Sequence, residues 1–404
     1  MKERTARVGA VRVLPRTRHR LRRAGGASDG TCADRVAAVS KSALLKIGML
    51  ALLNVAAHVD SNIAIVGNSF NGPPPIARLK QRLSTPWTLI DASNATHSEI
   101  ASASAFLEAP VQLLKWSSAS AKLYQFSFTG VPDFMLPSIP PQLAVANCHQ
   151  SSIPIAEYAL AHILSWTVGI QSMDAELRHC TWKTSAPGNT CAKAHRQPHR
   201  QVSNLTIGIL GYGHIGEAIA TRAVAFGSRV IATTLNPPLK PPAPLAWLGD
   251  DSHNPRLFAE SDFLIVCTPL LNSTRGLVGY NLLRRMAPSA VLINIARGPI
   301  VDEGALYNAL KSKAIGGAVL DVWWNSLFKL PEGGVGPSAW PSRLRFDELP
   351  NVLMSPHSSG STPEAEEESI KEMATNLDNL AQGKPLINIL RNASRTLPRD
   401  AASR

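Results

Sequence analysis

A glycine-rich turn constrains the fold of this chain more than any other feature of its sequence. Gly211, Gly213 and Gly216 form a GxGxxG pattern between the apolar run 206–210 and a predicted helix, and a second apolar run, 229–233, follows. Gly211 permits a tight turn, Gly213 lets the backbone approach a pyrophosphate, and Gly216 lets helix and strand pack closely. This strand, turn, helix and strand predict a dinucleotide-binding unit, with the phosphates at the helix N-terminus.

The end of the second run bears on which dinucleotide binds. An acid at this point normally binds the adenosine ribose hydroxyls and disfavours a 2′-phosphate. This chain has Thr233, Thr234, Leu235 and Asn236 there, with Lys240 close by. Since neither an acid nor an arginine occupies these four positions, NAD and NADP both stay open as the cofactor.

Short apolar runs alternate with helical patterns from residue 206 onward. The later runs are "SDFLIVCTPL", "AVLINIARG" and "GGAVLDV", and a helix is predicted from about Asp302 to Lys313. This alternation predicts an α/β fold with a doubly wound parallel sheet. Ligands of such sheets bind at the carboxyl ends of the strands, where Pro269, Arg297 and Asp321 lie.

A folded region is predicted to begin earlier, at the apolar run 62–67. Further strands are predicted in "TPWTLIDA", in "KLYQFSFTGV", which ends at Gly130, and in "LAVANC". One long helix beginning at Pro154 would then cross between two domains.

The first 60 residues differ in composition from the rest. They carry 12 Lys/Arg against 4 Asp/Glu, so only +4 of the net charge of +12 remains for residues 61–404. That near balance argues against a nucleic-acid partner, which needs basic residues clustered on the fold. The Arg-rich start is typical of an organelle transit peptide, and upstream sequence translated from a wrong start fits it equally.

The apolar stretch 42–59 is too short for a membrane span and is interrupted by Lys46 and Asn54. A signal-peptide core, part of a two-part targeting leader and a surface helix stay open for it. We expect residues 1–60 to be a disordered or targeting leader, the location to be cytoplasmic or organellar, and the membrane not to be a partner.

Five cysteines, at positions 32, 148, 180, 191 and 267, are odd in number and widely spread. They predict reduced thiols rather than a disulfide framework. The histidines near Cys180 and Cys191 do not match the spacing of zinc ligands, so no metal site is expected.

Five motifs in order, "GYGHIG", "CTPLLNST", "NIARGPIVDEGAL", "GGAVLDVW" and "LPNVLMSPHSSG", resemble those of the D-isomer-specific 2-hydroxyacid dehydrogenase family. The resemblance covers roughly residues 120–390 and is nearest to a branch with "DVWW" or "DVWY". It implies a flavodoxin-like substrate domain made of 61–165 plus 356–392, an NAD(P)-binding domain over 166–355, and a homodimer.

The resemblance also implies roles for single residues. Arg297 would grip the substrate carboxylate with its planar fork and polarise the 2-oxo group. His357 would act as the acid/base, because imidazole titrates near neutral pH. Asp321 would bind the nicotinamide carboxamide, and Gly130 would offer backbone N–H groups to the substrate. The cofactor contacts would come from Gly211, Gly213, His214, Ile215, Gly216, Thr234, Thr268, Pro269, Ala296 and Asp321.

Two departures from the family stand out. Pro132 is inserted after Gly130-Val131, in the predicted substrate loop. Ser326 stands where most members have an acid that pairs with the histidine, a departure shared with formate dehydrogenases, which have an amide there. Without that acid, we expect His357 to lose its proton at a lower pH than in acid-paired relatives.

The leading hypothesis is an oxidoreductase that transfers a hydride between NAD(P)H and a small 2-oxo acid, such as glyoxylate, hydroxypyruvate or a bulkier relative. A cofactor-binding sensor or partner-binding protein without turnover is the alternative. Formate oxidation is the third hypothesis.

Overall fold

The computed structural model describes residues 62–68, 75–131, 133–182, 192–193, 198–238, 240–325 and 341–393. The predicted leader, Pro132 and Ser326 lie outside the described residues. The predictions made for them therefore stay predictions, as do the predicted domain bounds.

The described residues form two large sheets, a small two-stranded sheet and the helices that cover them. The strands are β1 Asn62–Val66, β2 Trp87–Asp91, β3 Ala105–Leu107, β4 Leu123–Gln125, β5 Ala144–Ala146, β6 Thr181–Trp182, β7 Ala192–Lys193, β8 Thr206–Leu210, β9 Arg229–Thr233, β10 Trp247–Gly249, β11 Phe263–Val266, β12 Val291–Asn294, β13 Gly317–Leu320, β14 Val352–Met354 and β15 Ile389–Arg391. The helices are α1 Ile76–Arg82, α2 His97–Ser102, α3 Ser152–Val168, α4 Ile170–Arg178, α5 His214–Ala225, α6 Asn254–Glu260, α7 Tyr280–Leu283, α8 Glu303–Lys311 and α9 Pro363–Ala381. Short 3₁₀ turns lie at Val111–Trp116, Asp133–Ser138, Val202–Asn204, Asp251–His253, Gly298–Ile300 and Phe346–Glu348.

Strand order confirms the predicted fold class. The first sheet runs β15-β5-β4-β3-β1-β2, in which β1 to β5 are parallel and β15 is antiparallel to β5. Strands β1 to β5 thus follow the 2-1-3-4-5 order of flavodoxin-like folds. The second sheet is parallel throughout and runs β10-β9-β8-β11-β12-β13-β14, so its first six strands have the 3-2-1-4-5-6 order of dinucleotide-binding folds.

The second sheet is apolar because both of its faces are covered. Every residue of β11, β12 and β13 is buried. Neighbouring residues of β11 point to opposite faces, so Leu264 joins one apolar cluster, with Leu306 of α8, and Ile265 joins another, with Ile163 of α3. Burial on both faces explains why these strands read as continuous apolar runs.

Three local predictions need correction. The single long helix is broken at Gly169, whose φ of 74° is left-handed, and α3 and α4 meet there at 54°. Strand β3 was not predicted, and β4 ends at Gln125 rather than at Gly130. Three-residue strands carry too little alternation to be recognised by pattern, which explains both errors.

The cysteine prediction is right for two residues and wrong for a third. Cys148 and Cys267 are free, but Cys180 is disulfide-bonded. Cys180 directly precedes β6, which pairs with β7 so that Thr181 lies opposite Ala192. The spacing of the cysteines along the chain did not indicate this strand pair.

In the part of the chain that the structure describes, no single helix is long and apolar enough to span a membrane. Only α3 and α4 taken together across their bend reach that length and composition.

Candidate active site

One cleft of about 1250 Å³ receives the residues that follow the strands of both large sheets. From the first sheet come residues after β1, β3, β4 and β5, and from the second come residues after β8, β11, β12, β13 and β14. Parallel strands present their carboxyl ends at the same edge, so two facing edges concentrate loops from both sheets in one place.

The glycine-rich turn forms one wall of this cleft. Gly211 has a φ of 99°, and a Cβ there would lie 2.6 Å from the backbone nitrogen of Thr268. A Cβ on Gly216 would lie 2.9 Å from the carbonyl oxygen of Gly211. A Cβ on Gly213 would meet no heavy atom within 4 Å. The turn is therefore closely packed at Gly211 and Gly216 and open at Gly213, beside the start of α5, which fits a dinucleotide phosphate.

Most of the predicted cofactor contacts line the same cleft. They are Gly213, His214, Ile215, Gly216, Thr268, Pro269 and Ala296. Gly211, Thr234 and Asp321 lie outside the lining. At the end of β9 the hydroxyl of Thr233 donates to Asn254 Oδ1 at 2.8 Å, and the N–H of Thr234 donates to the Gly249 carbonyl at 2.9 Å.

Arg297 follows β12 and reaches across the cleft to the first sheet. Its Nη1 donates to the Ala296 carbonyl at 2.7 Å, and its Nη2 donates to the carbonyl of Gly130. The buried Nε has no hydrogen-bond partner. Burial lowers the pKa of Arg297, but a guanidinium stays charged in proteins. The predicted substrate residues Arg297 and Gly130 are thus in contact, and the Nε donor of the arginine is still free.

His357 follows β14 and lines the cleft with Arg297. Its φ of 60° is unusual for a residue with a side chain. Burial lowers the pKa of His357, the positive charge of Arg297 lowers it further, and Asp321 raises it. The two predicted catalytic residues therefore lie on one cleft and interact electrostatically.

Asp321 lies beneath the loop that carries His357, and no part of it is exposed. Its Oδ1 accepts hydrogen bonds from the Ser355 hydroxyl at 2.5 Å and from the Ser358 N–H at 2.9 Å, and its Oδ2 accepts from the Ser359 N–H at 3.0 Å. Asp321 thus holds both sides of the histidine in place. Its predicted contact with the nicotinamide stays a prediction.

Several unpaired polar atoms are concentrated in the cleft. Of the buried side-chain atoms without a partner among the described residues, five belong to residues of its lining: Thr129 Oγ1, Asn147 Oδ1, His149 Nδ1, Gln150 Oε1 and Arg297 Nε. Buried polar groups normally have partners, so such a cluster indicates a place where a polar ligand supplies them.

Sequence reasoning missed most of these residues. His149 follows β5, and its ring lies 4.0 Å from the ring of His214. Burial and the charge of His214 lower the pKa of His149 to about 4. Glu108, which follows the unpredicted β3, also lines the cleft. Their positions at strand ends were the available signal, because the carboxyl ends of parallel strands are where ligands bind.

Within the described residues, no group of three or more His, Cys, Asp or Glu side chains is arranged to hold a metal ion.

Fold and site together define a two-sheet α/β protein with a dinucleotide-binding turn and an Arg/His cleft. Residues 160–359 match the model of the D-isomer specific 2-hydroxyacid dehydrogenase NAD binding domain. This segment of the chain therefore belongs to that family of NAD-binding domains, and the resemblance found in the sequence is confirmed.

Curated relatives agree with the family match. The chain is 33% identical over 237 residues to a D-3-phosphoglycerate dehydrogenase of Mycobacterium bovis, covering 57% of this chain and 39% of that protein. It is 30% identical over 227 residues to a hydroxypyruvate reductase of Thermotoga maritima, covering 55% of this chain and 65% of that protein. The chain thus spans less than two thirds of the length of these curated relatives.

Solved structures agree in fold. An NADPH-dependent glyoxylate/hydroxypyruvate reductase from Sinorhizobium meliloti, in complex with NADP and sulfate, superposes with a TM-score of 0.63 at 18% identity, covering 82% of this chain and 98% of that one. An NAD-complexed D-isomer specific 2-hydroxyacid dehydrogenase from Lactobacillus delbrueckii superposes with a TM-score of 0.62 at 23% identity, covering 82% and 100%. At such identities the superpositions establish the shared fold.

Proposed function

We propose that this protein is an NAD(P)H-dependent reductase of 2-oxo acids, which also oxidises D-2-hydroxy acids in the reverse direction. The observation that carries the proposal is the group of unpaired polar atoms, Arg297 Nε among them, on residues that line the same cleft as His357 and the open turn at Gly213. A carboxylate supplies acceptors for a guanidinium, and a neighbouring histidine supplies a proton.

Arg297 binds the substrate carboxylate through Nε and draws electrons from the adjacent 2-oxo group. Its bonds to the Gly130 and Ala296 carbonyls fix the plane of the guanidinium before substrate arrives, so little orientation is lost on binding. His357 donates a proton to the carbonyl oxygen. The bound nicotinamide supplies the hydride, and the balanced reaction converts a 2-oxo acid, NAD(P)H and a proton into a 2-hydroxy acid and NAD(P)⁺.

Both NAD and NADP are included in the proposal. The end of β9 carries Thr233, whose hydroxyl is bound to Asn254, and Thr234. Neither residue repels or neutralises a 2′-phosphate. Fluorescence titration of the protein with NADH and with NADPH separates the two.

We also propose that the protein is a homodimer in the cytoplasm or in an organelle. Ile170 and Leu177 of α4 are large apolar side chains that are more than half exposed, at 52% and 54%. Covering them in a second copy removes apolar surface from water. Light scattering on the eluting protein measures the oligomeric state, and imaging of the tagged full chain gives the location.

The reaction is tested by mixing the full chain with NADH or NADPH and a panel of 2-oxo acids, while absorbance at the reduced nicotinamide band is followed. We expect oxidation of the cofactor that depends on the 2-oxo acid. In Arg297→Lys, kcat/KM should fall about 100-fold, because an ammonium cannot hold both carbonyls and the substrate carboxylate in one plane.

The matched control is Arg284→Lys, since Arg284 is exposed and lies outside the cleft lining. Its kcat/KM should equal that of the parent protein. Cofactor binding without oxidation by any 2-oxo acid would support the non-catalytic alternative instead. Reduction of NAD(P)⁺ by formate, with no activity on 2-oxo acids, would support formate oxidation.

A further inference from the structure

We propose that Glu108 is the specificity-determining residue of the cleft, and that its carboxyl group selects 2-oxo acids whose side chain ends in a cationic amino or guanidino group. This inference rests on the proposed function and names the substrate class that the site takes. It starts from a mostly buried acid that the proposed reaction does not use.

Glu108 lies on the first-sheet side of the cleft. It directly follows β3, and its carboxylate accepts a hydrogen bond from the N–H of Ser127, which comes shortly after β4. Three residues further on, Gly130 accepts the hydrogen bond from Arg297. The segment that follows β4 therefore contacts an acid, Glu108, at Ser127 and a cation, Arg297, at Gly130. A ligand with an anion at one end and a cation at the other matches this order of charges.

The carboxyl group of Glu108 has no cationic partner among the described residues. Its hydrogen bonds come from the backbone and the side chain of Ser127, and none of the ion pairs between described residues includes it. Burial raises the pKa of Glu108, the hydrogen bonds from Ser127 offset part of that effect, and no basic side chain contributes to the offset. Glu366, the other acid of the lining, is already paired with Arg78. A cationic ligand group would therefore supply the positive counter-charge that the Glu108 carboxylate lacks.

The backbone of Glu108 is held in one position, and the Ser127 N–H holds its carboxylate. Glu108 has a φ of 50°, and its N–H donates to the Gln125 carbonyl at 2.9 Å. A Cβ on Gly67 would collide with the Glu108 carbonyl oxygen, so glycine is needed at position 67 for this approach. A group held in this way loses little freedom when a ligand binds, and such preorganisation favours discrimination between ligands.

The first experiment uses the unmodified full chain and two ligands of nearly the same shape. Isothermal titration with 2-oxo-5-guanidinopentanoate and with its neutral analogue 2-oxo-5-ureidopentanoate is carried out with and without saturating NAD⁺ or NADP⁺, so that no turnover occurs. We expect the guanidino acid to bind about tenfold or more tightly, as for a desolvated charge pair. Equal affinities for the two acids would overturn the proposal.

The second experiment assigns the preference to the carboxyl group. Glu108→Gln keeps an acceptor for the Ser127 N–H and removes the charge, so the ratio of the two dissociation constants should fall to about one. Glu348→Gln is the control, because Glu348 is exposed and does not line the cleft, and it should keep the parent ratio. A preference that survives in Glu108→Gln would overturn the assignment. Melting temperatures of both variants show that they are folded.

The same panel of 2-oxo acids in the absorbance assay separates this inference from the proposed function. If the guanidino acid binds preferentially but no 2-oxo acid is reduced, the selectivity stands and the reductase assignment fails. If glyoxylate, 2-oxo-5-guanidinopentanoate and 2-oxo-5-ureidopentanoate are all reduced, and the two longer acids bind and react equally well, the reductase assignment stands and the role of Glu108 fails.

Discussion

His357 combines three features that suit the proton donor proposed for this cleft: it lines the cleft, the charge of Arg297 acts on it, and its backbone is held by its neighbours. Its φ of 60° costs free energy, of the order of 1 to 3 kcal/mol for a residue with a side chain. The bonds from Ser358 and Ser359 to Asp321 oppose that cost. The loop that carries His357 is thus kept in an unusual conformation by one buried carboxylate.

The pH dependence of reduction follows from the environment of His357. The protonated imidazole is the form that donates, and burial together with Arg297 lowers its pKa below the ordinary value of 6.5. We therefore expect kcat/KM for reduction to fall as pH rises through a value below about 6.5, and oxidation to gain over the same range. A pH profile of kcat/KM in both directions measures this. An inflection above neutral pH would contradict it.

Asp321→Asn should affect both the loop and the histidine. An amide cannot accept all three of the hydrogen bonds that Asp321 now accepts, so the free energy of unfolding should fall by about 2 to 3 kcal/mol. Because Asp321 raises the pKa of His357, its loss should move the inflection of the pH profile to lower pH. A purely structural role would leave the inflection unmoved. Urea denaturation and the pH profile are the measurements, with Asp251→Asn as an exposed control.

Among the elements, the glycine-rich turn contains one glycine, Gly213, at which cofactor binding can be changed without changing the stability of the fold. Gly213→Ala adds a Cβ where the structure has open space, so the free energy of unfolding should change by less than about 0.5 kcal/mol. The same Cβ would occupy the approach of a phosphate, and the dissociation constant for NADH or NADPH should rise about tenfold or more. Fluorescence titration and urea denaturation test the two halves of this prediction.

Gly211→Ala provides the contrast within the same turn. Its φ of 99° and the Thr268 nitrogen 2.6 Å from a new Cβ both oppose a side chain. We expect a loss of at least about 2 kcal/mol in the free energy of unfolding. If both variants unfold alike, the turn does not have the open and packed positions described above.

On the scale of the whole molecule, helix α9 returns the chain from the His357 loop to the first sheet. Its residues Ile370, Met373 and Leu377 are buried against Val66 and Leu107. At its far end, the carboxylate of Asp378 accepts hydrogen bonds from the N–H and hydroxyl groups of Ser84 and Thr85, two residues just before β2. Residues almost 300 positions apart in sequence thus close the first sheet layer.

Asp378→Ala should weaken the attachment of α9 to the segment just before β2. Burial raises the pKa of Asp378, but the hydrogen bonds from Thr85 and Ser84 outweigh it, so the pKa is lowered overall. Because the pKa of Asp378 is lowered in the folded protein, its hydrogen bonds stabilise the folded state at pH values above the ordinary pKa of about 3.9. That stabilisation is lost as pH falls from about 3.9 through the lowered pKa of the folded state. We expect the variant to be about 1 to 2 kcal/mol less stable at neutral pH, and the difference to shrink below about pH 4. A difference that persists in acid would contradict this.

Local patterns determined the dinucleotide turn and the parallel second sheet, and the family resemblance carried by short motifs predicted the roles of Arg297 and His357. Each of these depends on residues close together in sequence: the spacing of Gly211, Gly213 and Gly216, the alternation of apolar runs, and short motifs at strand ends. Strand β3 was not predicted because three consecutive buried residues show no alternation of apolar and polar positions.

The composition of the cleft was decided by the tertiary structure. Arg297 meets Gly130 across 167 positions of sequence, and Asp321 meets Ser359 across 38. Glu108 and His149 became site residues only when the carboxyl ends of the two sheets were brought to face each other. Sequence periodicity specifies which strands form, whereas the contacts between their distant ends depend on how the two sheets pack. That packing brings Glu108 and Arg297 into one cleft.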